Sequence, residues 1–310
     1  MAEKAMVKRR ENYPLVSVII VNYNAGPMLL NCARAVLTST VTVEVILVDN
    51  NSTDESLHGM RAILREEPHL SIIKNERNVG FAKAVNVGLA GTHGAIILVL
   101  NPDCIIEATT LERMLRVLEQ HSDAGMLGPR ILNPDGTEQP GCRRNIPTPW
   151  RSFLRAFGLS YFLGNRLGFL SDFLLHRAPV PSKPVDVEAI SGAFMLIRRS
   201  ALDEVGLLDE GYFMHCEDLD WCMRFREKGW RIWFVPDVSV THYKGACSKD
   251  RPIRVLWHMH KGMIRFYRKF FRGEYPVSLM WLVAAGVWMR FSALALYHLA
   301  KHGIGARRAR

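Results

Sequence analysis

Polar, chemistry-bearing residues gather where apolar runs end. Asn22, Tyr23 and Asn24 follow VSVIIV, Asp49 and Asn50 follow VEVILV, and Asn101, Pro102 and Asp103 follow GAIILVL. A carboxylate such as Asp49 can accept the imide N–H of uracil or thymine, with Tyr23 covering the flat base. It can equally cap the turn that follows it. Asp103 suits a hard divalent cation, which neutralises charge gathering on a departing diphosphate. His242, in VSVTHYKG, is a candidate second ligand, more easily for Mn²⁺ than for Mg²⁺; the bland alternative is a structural histidine. EDLD at 217–220 is the densest acidic point of the second half. At a helix start its carboxylates are expected to stay ionised, and an ionised carboxylate can take the proton of an attacking hydroxyl. Adjacent helical residues point about 100° apart, so Glu217 and Asp218 cannot face one reacting atom. N-terminal capping is the simpler role for these acids. Trp221 beside them is a sugar-stacking ring or part of the core.

The elements that must position these residues alternate. Continuous β-branched runs at 17–24, 43–49, 70–75 and 94–103 read as strands buried on both faces. Helical stretches follow the first, third and fourth, and a capping cluster, NNSTD, follows the second. Four strand–helix repeats in the first 120 residues predict a mostly parallel, doubly wound α/β sheet. In such sheets ligands bind outside the carboxyl ends of the strands. The first strand lacks a following G-x-G-x-x-G, which counts against a dinucleotide oxidoreductase. The stretch 133–149 holds four prolines and two glycines and reads as loop. Residues 150–177 are aromatic, Leu-rich and basic without clean periodicity. Two short strands are expected in 185–198, another at 229–235, and helices at 217–229, 254–272 and 277–300.

The chain has 310 residues and a formal charge of +10. Residues 251–310 carry 12 Lys and Arg against the single acid Glu274, so the basic character sits there and the remainder is close to neutral. These bases are interleaved with Trp, Phe, Leu and Met, which fits an anionic membrane surface better than nucleic acid. VSLMWLVAAGVWM (277–289) is short for a span, and Arg290 interrupts the run that follows, so an interfacial helix is expected. No apolar stretch follows the basic residues of the first 14, which argues against an export signal. The six cysteines show no C-x-x-C spacing and read as reduced thiols of a cytoplasmic protein.

Together, VSVIIVNYNA, VDNNSTD, NVGFAKAVNVG, LNPDC, SGAFMLIRR, GYFMHCEDLDWCMRFREKGW and VTHYKG resemble the family 2 glycosyltransferases, and most closely a rhamnosyltransferase-like subgroup. The resemblance runs from residue 17 to 245, in the family's order. It implies an A-type glycosyltransferase fold over 15–250, with a nucleotide-sugar half (15–130) and an acceptor half (131–250). Residues 1–14 are then a polar leader, and 251–310 a basic membrane-associating region. It further implies a base pocket of Val21, Asn22, Tyr23 and Asp49, with Asn78 and Gly80 beside the nucleoside. Asn101 and Asp103 match the metal motif D-x-D, whose first acid is here an amide. Gly192 and Ala193 match a small-residue turn near the donor sugar, Asp218 the general base, Glu217 and Trp221 the acceptor side, and His242 a late metal contact. The implied reaction is direct, inverting transfer from a dTDP- or UDP-type donor to a lipid-linked saccharide acceptor, with Mn²⁺ or Mg²⁺, on the cytoplasmic face of a membrane. Two other readings stand beside it. A sugar nucleotidyltransferase would need a basic phosphate loop after the first strand, and NYNAGP carries no basic residue; the other is a non-catalytic binder of nucleotide sugars or glycans.

Overall fold

The structure, a computed structural model, describes residues 13–60, 67–156, 174–245 and 251–308, without the side chains of 153–156 and 302–308. Most of the aromatic stretch 150–177 therefore lies outside the described residues.

Strands β1 (Val16–Asn22), β2 (Val43–Asp49), β3 (Leu70–Lys74) and β4 (Ile96–Leu100) are mutually parallel in the order β3-β2-β1-β4. Every residue of β1 and β4 is buried, as two-faced coverage by helices requires. The covering helices include α1 (Pro27–Leu37), α2 (Phe81–Leu89) and α3 (Thr110–Gln120). Two-residue β5 (Cys104–Ile105) follows β4 directly.

The second half departs from a simple doubly wound sheet. Strand β6 (Ala124–Leu132) is followed by the two-residue strands β7 (Arg143–Arg144), β8 (Val185–Asp186) and β9 (Ala189–Ile190). Then β10 (Phe194–Arg198) runs antiparallel between β4 and β6, and β11 (Arg231–His242) lies parallel to β6. The expected strand at 229–235 is thus the first part of one long strand. It continues through a register shift between Val235 and Ser239 into the segment that ends at His242.

That inserted strand matters for the site. Phe194 pairs with Leu100, so the start of β10 meets the end of β4. Because β6 and β11 point the same way as β4, the residues after β4, before β10, after β6 and at the end of β11 share one edge. β5 closes that edge by pairing antiparallel with β11, Cys104 opposite His242. Among the described residues, helices α4 (Pro149–Ala156), α5 (Arg199–Val205) and α6 (Glu217–Glu227) also belong to this half.

The two C-terminal helices have different surroundings. In α7 (Pro252–Phe271), Ile264, Phe266, Tyr267 and Phe271 are buried against the rest of the protein. Arg265 pairs with Asp209, and Lys269 pairs with both Asp209 and Asp220. In the basic, aromatic segment 265–272, expected at a membrane interface, Phe266, Tyr267 and Phe271 instead face the interior, while Arg265 and Lys269 pair with the half-buried Asp209 and Lys269 also with the buried Asp220. Helix α8 (Val277–Arg308) is different. A stripe including Val283 and Val287 packs inward, while Trp281, Met289 and Leu296 are 73%, 68% and 65% exposed. Its apolar stretch Val277–Lys301 is long enough, at 25 residues, to cross a membrane by length and composition.

Candidate functional site

The candidate edge of the sheet begins where β1 and β2 end. Asn22 is fully buried, and its Nδ2, with two N–H groups to give, lies within hydrogen-bond distance of Asp49 Oδ1 (2.8 Å), Ser52 Oγ (2.9 Å) and Ser56 Oγ (2.9 Å). Asp49 Oδ2 accepts from the Ser52 amide at 3.2 Å, so the turn-capping role is realised. Val21 lies in the core. Neither Val21 nor Asn22 therefore lines a pocket with its side chain; Asn22 holds Asp49 and its turn in place, and of the three only Tyr23 is partly exposed. The Tyr23 hydroxyl accepts from Arg251 Nη1 at 3.1 Å, which ties this corner to the start of α7.

Asn78 and Gly80 are organised by a residue that sequence reasoning left without a role. Asn50 Nδ2 donates to Asn78 Oδ1 and to the Gly80 carbonyl, each at 3.1 Å, while its own carbonyl accepts from Asn75 and Val79. Gly80 sits at φ +90°, and a Cβ there would lie 2.5 Å from the Phe213 carbonyl oxygen.

At the end of β4 the peptide N–H of Asn101 donates to the Ala193 carbonyl at 3.0 Å. Asp103 and His242 meet with Oδ1 and Nε2 3.0 Å apart, both buried. Asp103, Cys104 and His242 place one ligand atom each within 4.8 Å of one another. The Cys104 thiol donates to the Ala193 carbonyl, and a thiol is a poor partner for a hard cation, so the donor set that fits Mn²⁺ or Mg²⁺ is Asp103 with His242. The fit is physical as well as compositional. His242 Nδ1 donates to Gln139 Oε1 at 2.7 Å, which leaves the Nε2 lone pair facing a carboxylate oxygen. In a neutral ring these are two acceptors 3.0 Å apart, which a bound cation, or a second proton on the ring, reconciles.

Asp218 stands at the same edge. Its Oδ2 accepts from the Gly192 N–H at 3.1 Å and forms an ion pair with Arg144. Burial opposes the charge of the Arg144 guanidinium and the Asp218 carboxylate more than restores it, leaving the arginine pKa above its ordinary value. Arg144 was hidden in the proline-rich segment 133–149. It is placed by the pairing of β7 with β9, a two-residue ladder that no periodicity announces. Lys244 also belongs here: burial lowers its pKa, and the nearby charge of Arg144 lowers it further.

Two expectations for the acidic helix are corrected. Glu217 is buried, with Oε2 unpartnered, and burial followed by the repulsion of Asp218 pushes its carboxyl up to about 8. It is a neutral interior acid rather than an ionised group meeting an acceptor, because desolvation outweighs the helix dipole here. Trp221 is fully buried, edge-on to Phe225, with its indole N–H donating to the Gly206 carbonyl at 3.0 Å. It is core, and offers no face to a sugar.

A family model described as glycosyl transferase family 2 matches residues 17–206, well over half of the chain. The chain belongs to glycosyl transferase family 2. Among curated proteins, this family 2 member is 29% identical over 288 residues to the N-acetylglucosaminyl-diphospho-decaprenol L-rhamnosyltransferase of Mycobacterium tuberculosis, covering 89% of this chain and 91% of that one. It is 34% identical over 168 residues to the rhamnosyltransferase WbbL of Escherichia coli, across 53% of this chain and 58% of that one. Among solved structures it resembles a mannosyltransferase from Pyrobaculum calidifontis in complex with GDP-Man and Mn²⁺ (TM-score 0.57, 17% identity, 99% of this chain and 86% of that one). It also resembles GalNAc-T7 with UDP, GalNAc and Mn²⁺ (TM-score 0.55, 17% identity, 94% and 59%). The central sheet flanked by helices is therefore that of the A-type glycosyltransferases, and the chain is a rhamnosyltransferase-like member of family 2. Membership sets aside the nucleotidyltransferase reading.

Proposed function

We propose that the enzyme transfers a sugar, rhamnose by analogy with its relatives, from a dTDP- or UDP-type donor to a hydroxyl of a lipid-linked saccharide, with inversion, in cell-envelope polysaccharide synthesis. The observation that carries this is the Asp218 carboxylate, fixed by Arg144 and the Gly192 N–H on the edge that also holds Asp103 and His242. The name of the mycobacterial relative supports a diphosphate-linked N-acetylglucosaminyl lipid as acceptor.

In this reading Asp49 and Tyr23 hold the base and Asn78 with Gly80 flank the nucleoside. Asn101 lies beside the diphosphate, and Gly192 with Ala193 beside the donor sugar. Asp103 and His242 would hold Mn²⁺ or Mg²⁺, which when bound neutralises charge developing on the leaving nucleoside diphosphate. Asp218 takes the proton of the acceptor hydroxyl as that oxygen bonds to C1 and the C1–O bond to the phosphate breaks. One displacement with one base inverts the anomeric centre and needs no protein nucleophile. The exposed apolar face of α8 supports residence on a membrane, with the catalytic edge in the cytoplasm.

The test is transfer by the full chain in detergent, with a panel of nucleoside-diphosphate sugars, a polyprenyl-diphosphate N-acetylglucosamine acceptor, and Mn²⁺ or EDTA. Rhamnosylated lipid formed with Mn²⁺ and lost in EDTA is the expected result. Full activity in EDTA would remove the metal. Nucleotide-dependent thermal stabilisation without transfer from any donor would make the chain a binder rather than an enzyme.

A further inference from the structure

The turn after β6 carries a chain of hydrogen bonds that ends on His242. Asp135 Oδ1 accepts from the Thr137 hydroxyl (2.6 Å), and Thr137 Oγ1 in turn accepts from Asn133 Nδ2 (3.0 Å). Asn133 Oδ1 accepts from Gln139 Nε2 (2.9 Å), and Gln139 Oε1 accepts from His242 Nδ1 (2.7 Å). Every link has its direction set at the surface end. An ionised carboxylate can only accept, so the Thr137 hydroxyl must donate to it. That leaves the hydroxyl oxygen as acceptor, which points the Asn133 amide one way and the Gln139 amide after it. The backbone braces the chain: Asn133 N donates to the Thr137 carbonyl (2.8 Å) and Gln139 N to the Ile131 carbonyl (2.9 Å). Gln139 Nε2 also reaches the His242 carbonyl at 3.4 Å, so one buried amide grips the histidine at both ring and backbone.

The chain settles a competition. A neutral imidazole has one N–H, and the nearby Asp103 carboxylate, being charged, is the stronger attraction for it. Left alone, the ring would put its proton on Nε2 and close the site with an internal hydrogen bond. At the far side Asn101 Nδ2 lies 3.4 Å from Nε2, where an amide donor meets a lone pair. Both neighbours therefore agree on the same tautomer.

We propose that Gln139, oriented by Asn133, Thr137 and Asp135, is a positioning residue that keeps the His242 proton on Nδ1 and so presents Nε2 as a lone-pair ligand for the divalent cation. The inference rests on the metal reading above, but its tautomer component stands without a metal. An amide-to-histidine contact of this kind is worth tenfold or more in affinity at metal sites where the outer partner is removed.

Gln139→Met removes the acceptor with little change of volume, and Gln139→Glu keeps it. With ¹⁵N-histidine protein free of metal, at a pH where the ring is neutral, long-range ¹H–¹⁵N correlation should show His242 Nε2 unprotonated in the wild type and in Q139E. Q139M should move the proton to Nε2. Mn²⁺ titration followed by electron paramagnetic resonance, with nucleoside diphosphate present, should show affinity at least about tenfold weaker in Q139M and within about threefold of wild type in Q139E. A wild-type proton on Nε2, or Q139M binding Mn²⁺ like the wild type, would overturn the proposal. Should Q139M fail to fold, the exposed Thr137→Val decides: weakened Mn²⁺ binding supports the chain, and unchanged binding rejects it. Absence of Mn²⁺ binding by the wild type would end the metal reading, and the tautomer measurement would still judge Gln139.

Discussion

The proposed base, Asp218, can be told from Glu217 and Asp220 of the same EDLD segment by substitution. Asp218→Asn should cut turnover by about a hundredfold or more while leaving donor binding intact, because the lost group serves the acceptor hydroxyl. Near-normal turnover of that variant in a steady-state assay would move the base elsewhere. Glu217 makes a different prediction. Its folded pKa of about 8 exceeds the ordinary 4.5, so the folded state keeps a proton that the unfolded chain has lost. Stability should therefore fall as pH rises from about 4.5 to 8, and level off above. Glu217→Gln removes the ionisable group, so melts across that range should be flatter and the variant more stable than wild type at pH 8. A steeper fall in the variant would contradict a buried, neutral Glu217. At this scale the sequence was legible where a residue type was tied to a strand end: Asp49, Asp103 and His242 all lie at the expected edge. Arg144 and Gln139 were not legible, since their roles come from contacts across a loop that looked structureless. Trp221 was misread because a large aromatic beside acids looks the same whether it faces a pocket or the core.

Elements reproduce the pattern logic and its limits. β1, β2, β3 and β4 declared themselves as unbroken β-branched runs, and the ends of β1, β2 and β4 carry the candidate site residues. The stretch that became β6 went unassigned, because glycine and proline in AGMLGPRIL mask the strand. The antiparallel placement of β10 is a tertiary pairing with no local signature. Gly80 tests how tightly the elements are fitted. Its positive φ and the 2.5 Å approach of a Cβ to the Phe213 carbonyl mean that Gly80→Ala strains the loop before α2 and separates it from Phe213. The expected loss is about 2 kcal/mol or more of stability, together with weaker nucleotide binding. Calorimetry and nucleotide titration measure both, and an unchanged melting temperature would mean the loop relaxes freely.

The whole molecule divides its basic C-terminal region into two parts with opposite fates on deletion. Removing 277–310 takes away the exposed apolar face of α8 and should leave a folded protein released from membranes. Removing 251–310 also takes Phe266, Tyr267 and Phe271 from the core and the cations from Asp209 and Asp220, and should give insoluble chain. Fractionation of the two truncations checks this, and a shorter deletion that stays on membranes through alkaline washing would place the anchor outside α8. Strand order has a further consequence during synthesis. β3, β2, β1 and β4 can pair as soon as residue 100 emerges, yet the partner that covers the outer side of β4 is β10, at 194–198. At translation rates of ~5–20 residues per second, the IILVL edge waits on the order of ten seconds for its neighbour. An apolar edge bare for that long invites pairing between nascent chains. Ribosome-bound fragments ending between 100 and 194 should therefore be the aggregation-prone ones, and those extending past 198 should escape.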